Sequence, residues 1–205
     1  MAIRRVTGLR GEIRRSCEVC SSIAVAGSQR RIGVTTQALQ ITGYLKMLGY
    51  SAAYVEMNDH GYVSSVAKWY AAAKEEEYRI RYQDFDMYTK DSLQYLRAGE
   101  YRFLVKDYGS CQEKGFETVS FMEQTLQVYI CGMKPDELQA TQSILEKTYC
   151  QEAGYIFSFV AEAEKREILD MMEEKAAKTV FSEYTPDPFL YRSSSNRVYR
   201  MLLGI

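Results

Sequence analysis

Residues 23–54, IAVAGSQRRIGVTTQALQITGYLKMLGYSAAY, constrain the fold more than any other stretch. They read as a buried strand over Ile23–Ala26, a glycine-bearing turn over Gly27–Gly33, a helix over Thr35–Leu48 and a second strand over Ser51–Met57. A short apolar run passing through a tight loop straight into a helix is the layout of a phosphate-binding loop. In such a loop, backbone N–H groups and a helix N-terminus converge on an anion. The usual spacing is Gly-x-x-x-x-Gly-Lys-Ser/Thr. In this register Ser28 stands at the first position, Gly33 at the second glycine, Val34 at the lysine and Thr35 at the hydroxyl. Gly33 allows close approach of backbone to ligand. Thr35, in the first helical turn, would place its hydroxyl on a magnesium ion bridging phosphates. The lysine is missing.

The helix carries Ala38, Ile41, Leu45 and Leu48 at spacings of three and four, an apolar stripe to lay on a sheet, and Gly49 is a natural stop. Val63, Val66, Tyr70 and Ala73 predict a second helix that closes in the acidic run Glu75–Glu77. Residues 78–90 alternate polar with aromatic or apolar side chains, which predicts a strand or hairpin with one wet face at a sheet edge. Further strands are expected at Tyr101–Asp107, Leu126–Cys131, Tyr155–Val160 and Thr179–Tyr184. Helices are expected from Pro135 to Tyr149, over Ala161–Ala177, and near Asn196–Leu203. Strands alternating with helices imply crossover connections and therefore parallel pairing. The predicted class is a three-layer α/β fold, a mostly parallel twisted sheet with helices on both faces.

Ligands of such sheets sit at the carboxyl ends of the strands, so the loops after residues 26, 57, 107, 131 and 184 should share one rim. Asp107, ending an apolar strand, has the position of an acid that orients magnesium or its water. Glu56 and Asn58, at the end of the second strand, could hold or activate a water. Asp107 and Glu56 are thus the candidate catalytic residues, and Thr35 and Asp107 the candidate metal ligands. Arg30 and Arg31 can be read as phosphate clamps, as contacts to a partner's acids, or as solvated loop charges.

At 205 residues the chain suits one domain, expected over 22–205, after a basic arm over 1–21. The formal charge is −1, yet residues 1–31 hold seven arginines against Glu12 and Glu18, a local +5 that leaves −6 for the remainder. Such an arm can touch nucleic acid, anionic lipid or an acidic partner, or simply be solvated. The sequence has no apolar run approaching the roughly 20 residues of a membrane span and no apolar segment of a secretory signal. Five cysteines, an odd number, suit reduced thiols, and the expected location is the cytoplasm. Cys17 and Cys20 form a C-x-x-C pair, but His60 is the only histidine, too few ligands for a structural zinc within one chain.

The order AGSQRRIGVTT, YVEMN, FLVKDYG, LQVYICGMKPDELQA resembles the MinD/ParA family of P-loop ATPases over roughly residues 22–190. The likeness extends to relatives such as the TadZ/CpaE pilus-localisation proteins and the tyrosine kinases of capsule export. The dispersed tyrosines do not suit the kinase branch. The resemblance implies that the loop residues Ser28, Gln29, Arg30, Arg31, Ile32, Gly33, Val34, Thr35 and Thr36 hold the phosphates of ATP or ADP, with magnesium. It implies that Thr36 is the next hydroxyl of the motif, that Glu56 and Asn58 fall where the family has two aspartates, and that Asp107 is the magnesium-site acid. It also implies that the turn Pro186–Phe189, with Pro186 and Asp187, packs the adenine.

The chain departs from that family in several places. Val34 replaces the motif lysine and Gln29 the family's second, signature lysine, while Arg30 and Arg31 occupy a normally glycine-rich stretch. Asn58 cannot act as a base. Losing the lysine removes charge that holds the β/γ-phosphates, and a guanidinium is no simple replacement for an ammonium. Two functions follow as expectations. One is a degenerate, nucleotide-binding or pseudo-ATPase module for localisation or assembly. The other is an active, magnesium-ATP-dependent dimerisation switch for partitioning, pilus or secretion machinery. A homodimer and a protein partner from such a system are implied by the resemblance, and nucleic-acid binding through the arm is a weaker reading. In MinD-type proteins a basic amphipathic C-terminal helix binds the membrane; here Asn196–Leu203 reads as a docking helix instead.

Overall fold

The computed structural model describes residues 20–97, 99–147 and 152–205. The expected arm and Cys17 fall almost wholly outside them. Among the described residues nine strands form one sheet: β1 Ser21–Gly27, β2 Ala52–Glu56, β3 Lys74–Glu76, β4 Arg79–Tyr82, β5 Phe85–Thr89, β6 Phe103–Ser110, β7 Leu126–Cys131, β8 Gly154–Ser158 and β9 Thr179–Ser182. The helices are α1 Val34–Met47, α2 Tyr62–Trp69, α3 Thr118–Met122, α4 Pro135–Leu145, α5 Lys165–Met172 and α6 Asn196–Leu203. Strand order is β3-β4-β5-β2-β6-β1-β7-β8-β9. From β5 to β9 every pairing is parallel, and β3 and β4 add an antiparallel edge.

Alternate residues of the central strands feed two cores. Ile23 and Val25 of β1 face α1, α2 and α6, packing with Leu39, Ile41, Leu45, Val63 and Tyr199. Ala24 and Ala26 face α3, α4 and α5, packing with Phe121, Ile144 and Ile168. This is the three-layer arrangement expected, because a strand buried on both faces must be apolar at every position. The carboxyl ends of the parallel strands share one rim.

Three expectations are corrected. The second helix ends at Trp69, and Glu75 and Glu76 belong to β3 instead of closing that helix. Glu75 is exposed, as suits an edge strand where charge deters pairing with another chain, and Glu76 is half-buried in ion pairs with Arg79 and Arg81. The segment 161–177 is not one helix: α5 covers only Lys165–Met172 between two 3-10 turns, and Glu173 breaks it with φ 47°. A short α3, not anticipated, covers the sheet between β6 and β7.

Helix α1 is buried on nearly all sides, more than a surface stripe implies. Tyr199 donates its hydroxyl to Gln37 Oε1 at 2.8 Å, and Gln40 donates to the Pro188 and Leu190 carbonyls at 2.9 and 3.2 Å. Gly43 lets Tyr191 close over the helix, since a Cβ there would lie 3.1 Å from the Tyr191 Cβ. The expected docking helix α6 therefore covers the outer side of α1. Among the described residues, no helix is long and apolar enough to cross a membrane.

Candidate phosphate-binding site

The loop between β1 and α1 borders a cleft of about 800 Å³ lined by Gln29, Arg30, Arg31, Gly33, Val34, Thr35 and Thr36 and, from other loops, by Asp59, His60, Gly109 and Ser110. Gly33 caps α1 with φ 96°, a left-handed conformation open to glycine, and no side chain caps the helix. The first N–H groups of α1 are thus without an intrahelical acceptor, and its first turn holds no acid. Arg31 is also left-handed, φ 61°, which strains a residue bearing a side chain. Ile32 is buried, and Ser28 is wholly buried with an Oγ that finds no hydrogen-bond partner among the described residues.

Cation placement differs between the two arginines. Arg30 Nε sits 2.9 Å from Glu113 Oε1, and His60 Nε2 lies 3.0 Å from the same oxygen. Arg31 forms no ion pair with another described residue and lines the cleft. Gln29 donates to Asp136 Oδ2 at 3.2 Å, at the start of α4. No lysine lines the cleft.

Asp107 is fully buried at the rim, in β6 directly opposite Glu56 of β2. Its Oδ2 accepts the Thr35 hydroxyl at 2.6 Å and the Tyr54 hydroxyl at 2.8 Å. Its Oδ1 accepts Asn58 Nδ2 at 3.1 Å and the Gly109 N–H at 2.9 Å. Burial pushes this carboxyl above the usual range, against the pull of the Thr35, Gly109 and Tyr54 donors. Burial, with the Asp107 charge second, also pushes the Tyr54 hydroxyl well up. Thr35 and Asp107, expected at one rim, are hydrogen-bonded there, and Tyr54 joins them unannounced by the sequence analysis. An inward tyrosine two residues before Glu56, on the same strand face, was the available signal.

Glu56 is 2 % exposed and turned to another task. Its oxygens accept the N–H groups of Tyr62 at 2.6 Å and Val63 at 3.0 Å, capping α2 in place of its glycine N-cap Gly61. Burial raises this carboxyl and those two N–H donors lower it. Glu56→Ala is expected to cost about 1–3 kcal/mol, since two buried donors lose their acceptor. Urea denaturation would show it. A loss of nucleotide affinity beyond that of a folded control would instead give Glu56 work at the phosphates.

Pro186 and Asp187 do not line the cleft. Asp187 Oδ1 accepts the Phe189 N–H at 3.0 Å, and Phe189 is buried among Tyr62, Tyr70, Tyr82 and Phe85. Among the described residues no group of three or more His, Cys, Asp or Glu side chains could hold a metal ion.

A parallel α/β sheet with this loop at the head of its first helix has the P-loop NTPase-like architecture. No protein-family model matches the sequence, and no curated protein is similar to it. Solved structures are more informative. A Borrelia burgdorferi protein described as a plasmid partition protein and bound to AMPPNP is similar at TM-score 0.63 and 10 % identity, over 90 % of this chain and 97 % of that one. The MinC:MinD cell division protein complex of Aquifex aeolicus is similar at TM-score 0.58 and 11 % identity, over 90 % and 86 %. A nucleotide-binding protein from Archaeoglobus fulgidus in complex with ADP is similar at TM-score 0.54 and 12 % identity, over 90 % and 86 %. The fold of this chain is MinD/ParA-like.

Proposed function

We propose that this protein is a nucleotide-binding assembly or localisation module that keeps the fold of a partitioning ATPase and has lost efficient hydrolysis. The observation that carries the reading is a phosphate-type loop over a cleft lined by two arginines and no lysine. Arg31 is held there at some cost in backbone strain, which is a reason to ask what its charge does. Asn58 stands where a water-activating acid would be needed, and an amide cannot take a proton. The AMPPNP- and ADP-bound neighbours and the MinC:MinD complex support a nucleotide ligand and a protein partner. We further propose a homodimer working in the cytoplasm. The competing reading is a magnesium-dependent switch, favoured by the Thr35–Asp107 pair.

Calorimetric titration with ATP, ADP and GTP, beside a phosphate-release assay, tests this. The expected result is micromolar binding with no release above background, weakened about ten- to a hundredfold in Arg31→Ala, as loss of a charge-assisted hydrogen bond implies. No binding up to millimolar nucleotide would overturn the proposal, and steady turnover would favour the switch.

A further inference from the structure

Resting on that reading, we infer that this site takes its nucleotide as the free polyphosphate anion, without a divalent metal. A carboxylate that holds magnesium, or a water on it, must leave a lone-pair position for it. A carboxylate offers about four such positions, and Asp107 has four donors on them: Thr35 and Tyr54 on Oδ2, Asn58 and the Gly109 N–H on Oδ1. A metal could compete for Thr35, whose side chain is only half-buried. It cannot easily move Tyr54. That ring is wholly buried, lies edge-on to Tyr62 with centroids 6.4 Å apart, and among the described residues its hydroxyl bonds only Asp107.

Asn58 is held as firmly. Its Nδ2 also donates to the Asp107 carbonyl at 3.0 Å, and its Oδ1 accepts the His60 N–H at 3.1 Å. These contacts orient the amide with its donor toward the carboxylate. Magnesium is ordinarily held by one or two carboxylates plus phosphates, in a strict octahedron at about 2.0–2.1 Å. In this chain Asn58 carries no charge, Glu56 is committed to α2, and Asp107 is satisfied. The residues present do not fit the ion. The charge that would balance phosphates comes from Arg31 and Arg30, with the open N–H groups of α1.

The test is calorimetric titration of ADP and ATP into the full chain in magnesium chloride and in EDTA, repeated on Tyr54→Phe and Asn58→Asp. Circular dichroism serves as the check on folding. Wild type is expected to bind with the same affinity, within about twofold, in both buffers. The Tyr54→Phe, Asn58→Asp double variant, with a freed lone pair and a second acid, is expected to bind at least tenfold tighter with magnesium. Wild-type binding that is tenfold tighter with magnesium, or seen only with it, would overturn the inference and leave nucleotide binding standing. Binding in neither buffer would overturn the underlying reading and this inference with it.

Discussion

Replacing Asp107 by alanine is expected to destabilise the protein by about 3–5 kcal/mol, because four donors lose their acceptor in one step. The Tyr54 hydroxyl and the Gly109 N–H are the most exposed to this loss, lying where the chain is buried. For a chain of this length the midpoint of thermal unfolding should fall by roughly 10 °C. Asp107→Asn keeps the shape but turns an N–H₂ toward donors, so it should recover only part of the loss. Both effects are read from urea or thermal denaturation in nucleotide-free buffer. A cost below about 1 kcal/mol for the alanine variant would mean that the four hydrogen bonds are not simultaneously in place. The result separates structure from function, since a residue kept solely to hold metal would be dispensable to folding.

Phe189→Ala should cost about as much, roughly 3–5 kcal/mol, for an unrelated reason. Phe189 is 4 % exposed, with ring centroids 4.8 Å from Tyr82, 5.4 Å from Phe85, 6.0 Å from Tyr70 and 6.5 Å from Tyr62. Its removal leaves a ring-sized cavity and frees residues 186–191 from α1 and from β4 and β5. Phe189→Leu should cost under about 1.5 kcal/mol, as volume-conserving swaps do. Denaturant midpoints give the magnitude, and faster proteolysis between residues 184 and 192 would locate the opening. Equal losses in the two variants would argue that aromatic geometry matters more than filled volume.

These two residues also mark what the sequence disclosed. Asp107 was legible because it follows an apolar run in the pattern β–loop–α, and that periodicity predicted the parallel sheet and its common rim. The strand itself does not end at Asp107 as expected but continues as β6 to Ser110, along Gly27 of β1. Most helix and strand positions follow from local apolar spacing, which survives in a single sequence. Phe189 was legible only as part of a turn, because its partners lie about 100 residues earlier in the chain and no local period points to them. Glu56 presents the same difficulty: an acid at a strand end is compatible with chemistry or with capping, and only the path of the next loop shows that α2 begins against it. The break in 161–177 depends on one backbone angle at Glu173, which residue type does not announce. Tyr54 reads as core, and its hydroxyl becomes informative only once β2 and β6 are in register.

The way α1 is enclosed bears on how the protein comes to be built. Gln37 and Gln40 bond partners 162 and 148–150 positions downstream, Tyr199 on one hand and the Pro188 and Leu190 carbonyls on the other. During synthesis, β1, the phosphate loop and α1 emerge well before residues 186–199, and the outer side of α1 stays wet until that segment arrives. A ribosome-bound chain stopped before residue 186 would therefore carry a phosphate loop on an unsupported helix. Nucleotide affinity, once measured on stalled chains of increasing length, should rise abruptly as residues 186–199 are added, so that the phosphate loop becomes competent to bind only when a segment about 150 positions downstream has been made.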